Sequence, residues 1–146
     1  MTESIVLVKE NYVDVYNRYI SITGSVAETH DKEVIICDDM KFEDRNGWCI
    51  ITLLYGDCFA EEILIKLSGG KELLYCYSDD AQMDCEFLVL KNNKVIRKKY
   101  IYADTPELDE DEGYLQCEEG KEFKYWNDID YLVEIAKNTP DKIFSL

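Results

Sequence analysis

The sequence has few of the residues that catalytic and metal-binding sites commonly require. Its single histidine, His30, lies in a polar stretch, so a Ser or Cys nucleophile has no well-placed imidazole base. Six cysteines are present without a Cys-x-x-Cys pair, which leaves a tetrahedral zinc site almost without support. The one glycine doublet, Gly69-Gly70, lacks the Gly-x-x-x-x-Gly-Lys frame of a phosphate-binding loop. These absences argue against an enzyme, and we expect no cofactor and no metal.

Long apolar runs are also missing, and the first residues, Met1-Thr2-Glu3-Ser4, are acidic rather than basic. We therefore expect neither a signal peptide nor a membrane span. The cysteines are Cys37, Cys49, Cys58, Cys76, Cys85 and Cys117. Several lie beside large apolar residues, which is typical of buried free thiols rather than of a disulfide framework. A reducing, cytoplasmic location is expected.

Positive charge is scarce relative to negative charge. Sixteen Lys and Arg residues stand against 31 Asp and Glu, which gives a formal net charge of −15 at pH 7. Such a chain repels nucleic acid and anionic membranes, so neither is an expected partner. The excess favours rapid, salt-sensitive association with a basic protein. A surface that is acidic only for solubility explains the charge equally well.

Hydrophobic periodicity predicts a single α+β domain over residues 1–146. Strands are predicted at 4–8, 34–37, 48–55, 72–77, 85–90 and 94–102. Helices are predicted from Tyr12 to the residue before Gly24, from a cap at Asp57 to Gly69, and over 126–137 with Asn127 or Asp128 as cap. A strand over 62–67 is the weaker alternative to the second helix. Residues 25–32, 38–47 and 104–122 are predicted to be loops.

The order of these elements predicts one antiparallel sheet of about five to six strands with two to three flanking helices. Residues 48–55 are almost uninterruptedly apolar, as in a strand covered on both faces, and form the predicted central strand. The strands at 85–90 and 94–102 flank Asn92-Asn93, a pair that tolerates the positive φ of a tight hairpin turn.

Two groups of acidic residues are candidate contact sites for a basic partner. Residues 104–122 contain nine acids and only one Lys. The candidates in this segment are Asp109, Glu110, Asp111, Glu112, Glu118 and Glu119, with Tyr114 as an aromatic anchor. Asp79, Asp80 and Asp84 form the second group. The alternatives are a solvated mobile loop for the first group and chance clustering, or Mg²⁺ or Ca²⁺ ligands, for the second.

The segment 91–99 is the one basic stretch, with five Lys and Arg residues and no acid. It could bind an anion. The simpler interpretations are that the lysines protect an exposed sheet edge from wrong pairing, or that they offset the acids around them.

Five features of the chain from residue 48 onward resemble small bacterial immunity proteins of polymorphic toxin and contact-dependent growth inhibition systems. They are Trp48 opening an apolar strand, a helix ending in Lys66-Leu67-Ser68, the strand 73–77 running into Ser78-Asp79-Asp80, the hairpin 87–100, and Trp126-Asn127-Asp128-Ile129 opening the last helix. The resemblance implies a non-catalytic protein that covers the active site of a basic toxin domain, often a nuclease. The alternatives are an acidic regulatory or adaptor protein and, less favoured, a hydrolase that uses a divalent metal.

Overall fold

The computed structural model describes residues 2–27, 29–30 and 33–145, which contain three α-helices and nine strands. The helices are α1 (Tyr12–Thr23), α2 (Glu61–Ser68) and α3 (Asp130–Asn138). The strands are β1 (Thr2–Val8), β2 (Thr29–His30), β3 (Val34–Cys37), β4 (Met40–Arg45), β5 (Trp48–Leu53), β6 (Leu73–Asp79), β7 (Asp84–Lys91), β8 (Lys94–Tyr102) and β9 (Glu110–Gly113). Short 3-10 turns occur at Pro106–Leu108, Gln116–Glu118, Trp126–Ile129 and Pro140–Phe144.

All strands join one antiparallel sheet in the order β2-β3-β4-β5-β1-β6-β7-β8-β9. The predicted α+β class with a single antiparallel sheet is confirmed. The predicted five to six strands are too few, because the described residues contain nine. The middle position belongs to β1, and the predicted central strand is its neighbour β5, which ends at Leu53 rather than Tyr55.

The three additional strands are short or charged. Residues 38–47 were predicted to be a loop, but β4 lies within them. This strand buries Met40 and Phe42, whereas Lys41 and Glu43 are partly exposed. Strand β9 lies within the predicted loop 104–122 and exposes every one of its residues. Strand β2 lies within the predicted loop 25–32, of which residues 28, 31 and 32 are outside the described residues.

The sheet separates two hydrophobic cores, because successive residues of a strand point to opposite faces. On β1, Val6 and Val8 join the core beneath α1 and α2, whereas Ile5 and Leu7 join the core beneath α3. Other members of the first core include Phe42, Ile51, Tyr75 and Leu88, and the second includes Trp48, Phe87, Leu132 and Phe144. Both faces of the middle strands are therefore covered, which explains their continuous apolar sequences.

Helix ends follow the predicted capping residues only in part. Gly24 and Gly69 end α1 and α2 in the left-handed conformation, with φ of 74° and 56°. The helix at α2 is confirmed over the alternative strand, but it begins after Ala60 and not at Asp57. Helix α3 begins at Asp130, and the residues before it form a 3-10 turn in which the Asp128 carboxylate accepts hydrogen bonds from two backbone N–H groups.

No helix within the described part of the chain is long and apolar enough to cross a membrane. All six cysteines are free thiols, and four of them, Cys37, Cys49, Cys76 and Cys85, are buried in the cores. Burial raises the pKa of the Cys49 and Cys76 thiols and raises that of Cys85 to about 12. The phenol of Tyr75 also has a raised pKa, through burial and then the nearby charge of Glu86.

These buried groups predict a protein that loses stability in alkali. The unfolded chain releases thiol protons from about pH 8.5 and phenol protons from about pH 10, whereas the folded chain retains them to higher pH. Stability is therefore fully present below about pH 8.5 and falls as pH rises toward the folded-state pKa values. Urea titrations from pH 7 to pH 11 should show this fall, with a shallower slope for Cys76→Ala. The control is Tyr125→Phe, at an exposed side chain, which should leave the slope of the parent chain unchanged. A free energy of unfolding of the parent chain that does not change with pH would contradict the prediction.

Candidate functional site

Four connections of the fold meet at one end of the sheet. The β3–β4 turn lies there because Cys37 pairs with Met40, and the end of β5 lies beside it because Met40 pairs with Leu53. The β6–β7 turn lies at the same end because Asp79 pairs with both Thr2 of β1 and Asp84 of β7. Asp84 in turn pairs with Tyr102, where the link from β8 to β9 begins. We call residues 38–39, 54–59, 79–84 and 103–109 the acidic end.

The acidic end is rich in carboxylates and carries no basic residue. Its nine acids are Asp38, Asp39, Asp57, Asp79, Asp80, Asp84, Asp104, Glu107 and Asp109, and none of the four segments contains Lys, Arg or His. The opposite end of the sheet carries lysines, including Lys71, Lys91 and Lys94 beside the turns at Gly70 and Asn92-Asn93. The fold thus brings together candidate acids from two separate segments of the sequence and separates them from these lysines.

Asp84 shows how the carboxylates at the acidic end influence one another. Its pKa is raised, first by burial and then by the negative charges of Asp104, Asp79 and Asp109, while a hydrogen bond from the Ala103 N–H acts in the opposite direction. Carboxylates from both sequence segments therefore lie within electrostatic reach of one another. A basic partner would relieve this repulsion on binding.

Several of these acids also hold the backbone. Asp79 is buried, and its Oδ1 accepts hydrogen bonds from the N–H groups of Ala81 at 3.0 Å and Gln82 at 3.4 Å. Asp109 Oδ1 accepts one from the Tyr102 N–H at 2.7 Å. Asp80, Asp104 and Glu107 are exposed. These three exposed residues are therefore the better positions at which to test a contact.

Exposed apolar side chains gather at the same end. Leu54, Tyr55, Met83 and Leu108 lie on its connections, and each is more than half exposed. Val26, 80% exposed, lies beside the β3–β4 turn, because its carbonyl accepts a hydrogen bond from the Cys37 thiol. Among the described residues only two other large hydrophobic side chains, Tyr114 and Tyr125, are exposed to this degree. Apolar residues within a charged rim are the composition of a protein-binding surface.

The segment 104–122 is more structured than the predicted loop, because Arg97 of β8 anchors it. The Arg97 side chain is almost fully buried, and its Nε and Nη2 donate to the two carboxylate oxygens of Glu118 at 2.8 and 2.9 Å. Its Nη1 donates to Asp111 at 2.6 Å and to the Glu112 carbonyl at 3.0 Å. Glu118 is itself only 3% exposed, so it serves the interior rather than the surface.

The other predicted contact residues of this segment lie along the edge strand β9 and beyond it. Glu110 pairs with Lys98 at 2.9 Å, and Asp111 pairs with Lys99 at 2.8 Å. Glu112, Glu119 and the aromatic candidate Tyr114 are exposed, the last at 64%. The structure thus places the ten predicted site residues in three settings: Asp79, Asp80, Asp84 and Asp109 at the acidic end, Glu110, Asp111, Glu112, Tyr114 and Glu119 on the β9 side, and Glu118 inside.

These pairings also explain the basic stretch 91–99. Arg97, Lys98 and Lys99 form ion pairs with Glu110, Asp111 and Glu118, which agrees with the interpretation that they offset surrounding acids. Protection of an exposed edge is wrong for these three, because β9 pairs with β8 from Arg97 to Tyr100.

Sequence reasoning missed a carboxylate in the α2-side core. Glu86 of β7 is 8% exposed, and it accepts hydrogen bonds from the hydroxyls of Tyr75, at 2.8 Å, and Tyr102. The sequence feature that indicates this buried carboxylate is the single glutamate in the otherwise apolar run 85–90. The nearby Cys58 thiol has a raised pKa, through burial and then the charge of Glu86. This thiol is therefore not activated for nucleophilic attack.

Across the described residues, no group of three or more His, Cys, Asp or Glu side chains is arranged to hold a metal ion. The Asp79 and Asp84 carboxylates instead accept backbone hydrogen bonds. Comparison with protein-family models, curated proteins and solved structures finds no match for the chain. The site is accordingly interpreted from its own charge and geometry.

Proposed function

We propose that this protein is a non-catalytic inhibitor that binds a basic protein through the acidic end. In this proposal it is an immunity protein that neutralises a basic toxin domain, a nuclease, by covering its active site. One observation carries the proposal: nine carboxylates lie at one end of the sheet, on four connections that contain no basic residue and that also carry exposed apolar side chains.

The charge pattern fits a nuclease as partner. Nuclease substrates are polyanions, so the surface that binds them is electropositive. A set of carboxylates at the end of a sheet reproduces part of the field of the substrate and attracts the same surface. The exposed Leu54, Tyr55, Met83 and Leu108 supply the apolar contacts that charge alone does not provide.

Co-expression with the products of the neighbouring genes tests the function. The chain should co-purify with one basic product at moderate salt, and the complex should lack the nuclease activity that the free partner shows. Capture of a basic protein without toxic activity would favour an adaptor instead. Failure of every neighbouring product to bind, preference for a polyanion, or turnover by the chain itself would overturn the proposal.

Neutralising exposed acids of the acidic end should slow association with that partner. In the triple variant Asp80→Asn, Asp104→Asn, Glu107→Gln, we expect the association rate at low salt to fall by roughly tenfold or more, because steering depends on these charges. Stopped-flow mixing at two salt concentrations measures this, and added salt should shrink the difference.

A matched control keeps the same change in net charge. Asp14→Asn, Asp44→Asn, Glu122→Gln removes three exposed charges outside the acidic end and should leave the rate close to that of the parent chain. Equal slowing by both triple variants would show that net charge alone acts, and that the acidic end is not the interface.

A further inference from the structure

A cavity of about 190 Å³ opens at the acidic end, between the β3–β4 turn and the segment after β5. It has the volume of about six water molecules at roughly 30 Å³ each, enough for the end of a side chain. Asp38, Asp39 and Asp57 line it together with the aromatic rings of Tyr55 and Phe59. Among the described residues that line it, none is Lys, Arg or His.

Three exposed apolar residues lie at this cavity or beside the turn that borders it. The Leu54 N–H donates to the Asp39 carbonyl at 2.9 Å, which holds the segment after β5 against the turn. The Cys37 thiol donates to the Val26 carbonyl and places that residue on the other side of the turn. Val26, Leu54 and Tyr55 are 80%, 52% and 73% exposed. Tyr55 lines the negatively charged pocket, Leu54 precedes Tyr55 in the chain, and Val26 lies beside the turn that carries Asp38 and Asp39.

The Asp38 carboxylate of the pocket is held in place by two hydroxyl groups. Asp38 Oδ2 accepts hydrogen bonds from the hydroxyls of Ser25 and, at 2.8 Å, Tyr19, and these bonds lower the pKa of Asp38. Asp38 and Asp39 adopt positive φ angles of 51° and 59° in the turn between two paired strands. The position of the Asp38 carboxylate is therefore fixed by the fold, which reduces the entropy lost when a partner binds.

We propose that this cavity is the anchor pocket for an arginine side chain of the basic partner, with Val26, Leu54 and Tyr55 as the surrounding apolar contacts. This inference rests on the proposed function and extends its interface beyond the acids predicted from the sequence. A guanidinium group suits the pocket because it is planar, hydrogen bonds with carboxylates and stacks on aromatic rings. An arginine enclosed by apolar contacts is also typical of the residues that dominate binding energy.

Charge complementarity distinguishes this pocket from a neighbouring one. A cavity of about 270 Å³ on the α3 side of the sheet contains Glu3 and Glu43, but Arg45 and Lys137 also line it. Lys137 pairs there with Glu3 at 2.7 Å. That cavity contains its own cations, whereas no Lys, Arg or His is among the described residues that line the pocket beside Tyr55 and Asp57.

Titration with N-acetyl-arginine amide tests the pocket without knowledge of the partner. In ¹H–¹⁵N spectra we expect saturable shifts at the amides of residues 38–39 and 54–59. N-acetyl-citrulline amide, which has nearly the same shape without the charge, should produce no saturable shifts. Asp57→Asn and Tyr55→Ala should each weaken arginine binding at least tenfold, whereas Asp104→Asn should retain it. Both pocket residues are exposed, so the variants should fold, and their amide spectra verify this.

Any of three results would overturn the assignment of the arginine pocket. They are shifts confined to residues 79–84 and 103–109, equal effects of the citrulline analogue, and unchanged arginine binding in Asp57→Asn. With the co-purified partner, Tyr55→Ala should raise the Kd at least tenfold. A chain that captures its partner but binds no arginine at residues 54–59 would refute the pocket and leave the proposed function standing. Arginine binding in a chain that captures no basic partner would refute the function instead.

Discussion

Replacing Arg97 with methionine should lower the free energy of unfolding by about 3 to 5 kcal/mol, the cost of removing one partner of a buried ion pair. Arg97 and Glu118 are each 3% exposed and form two hydrogen bonds with each other. Without the guanidinium, the one remaining hydrogen-bond donor to the Glu118 carboxylate within the described residues is the Leu115 N–H, at 2.8 Å. Urea unfolding at pH 7 measures the loss.

A control and a rescue separate the ion pair from a general effect of charge. Lys94→Met removes one exposed positive charge and should change stability by less than about 0.5 kcal/mol. The double variant Arg97→Met, Glu118→Leu removes both buried charges and should recover much of the stability. A loss below about 1 kcal/mol in the single variant would show that water reaches Glu118 and that β9 is not held by this pair.

Trp48→Ala should cost about 3 to 5 kcal/mol, the usual range for truncating a large buried aromatic side chain. Trp48 opens β5, is 2% exposed and stacks on Phe144, with ring centroids 5.7 Å apart. The truncation therefore opens a void between the sheet and the final 3-10 turn, Pro140–Phe144. Calorimetric or urea unfolding measures the effect.

Trp126, the second tryptophan, provides the comparison for Trp48. It is only partly buried, so Trp126→Ala should cost clearly less than Trp48→Ala. Trp48→Phe should keep part of the stacking on Phe144 and fall between the parent chain and Trp48→Ala. Equal losses for the two alanine variants would contradict the assignment of Trp48 to the core beneath α3.

Much of the fold could be predicted because its middle strands are buried on both faces. Continuous apolar sequence marks β1, β5, β6 and β7, and glycines mark the ends of α1 and α2. Strand β9 could not be predicted in this way, since all its side chains are exposed and it is held by pairing with β8 and by Arg97. Strand β4 was obscured by the charged residues that alternate with its buried ones.

The sequence predicts some of the acids of the candidate site but not that they lie at the same end of the sheet. The acids at 79–84 and Asp109 stood out as charge clusters, but their proximity follows from strand register, which composition does not reveal. Asp38-Asp39 is a visible acidic doublet, and only the pairing of β4 with β5 places it beside Asp57. Glu118 was grouped with the surface acids because its cation, Arg97, lies 21 residues away in the sequence.

The position of β1 has a consequence for how the molecule assembles. Strand β1 precedes the other strands of the sheet in the sequence and yet lies in its middle, and its two neighbours are synthesised later, one of them ending only at Asp79. Until then its apolar side chains have no permanent partner, which is the condition that invites chaperones or misassembly. Deleting Thr2–Val8 would remove the strand that joins β5 to β6 and would divide the sheet in two.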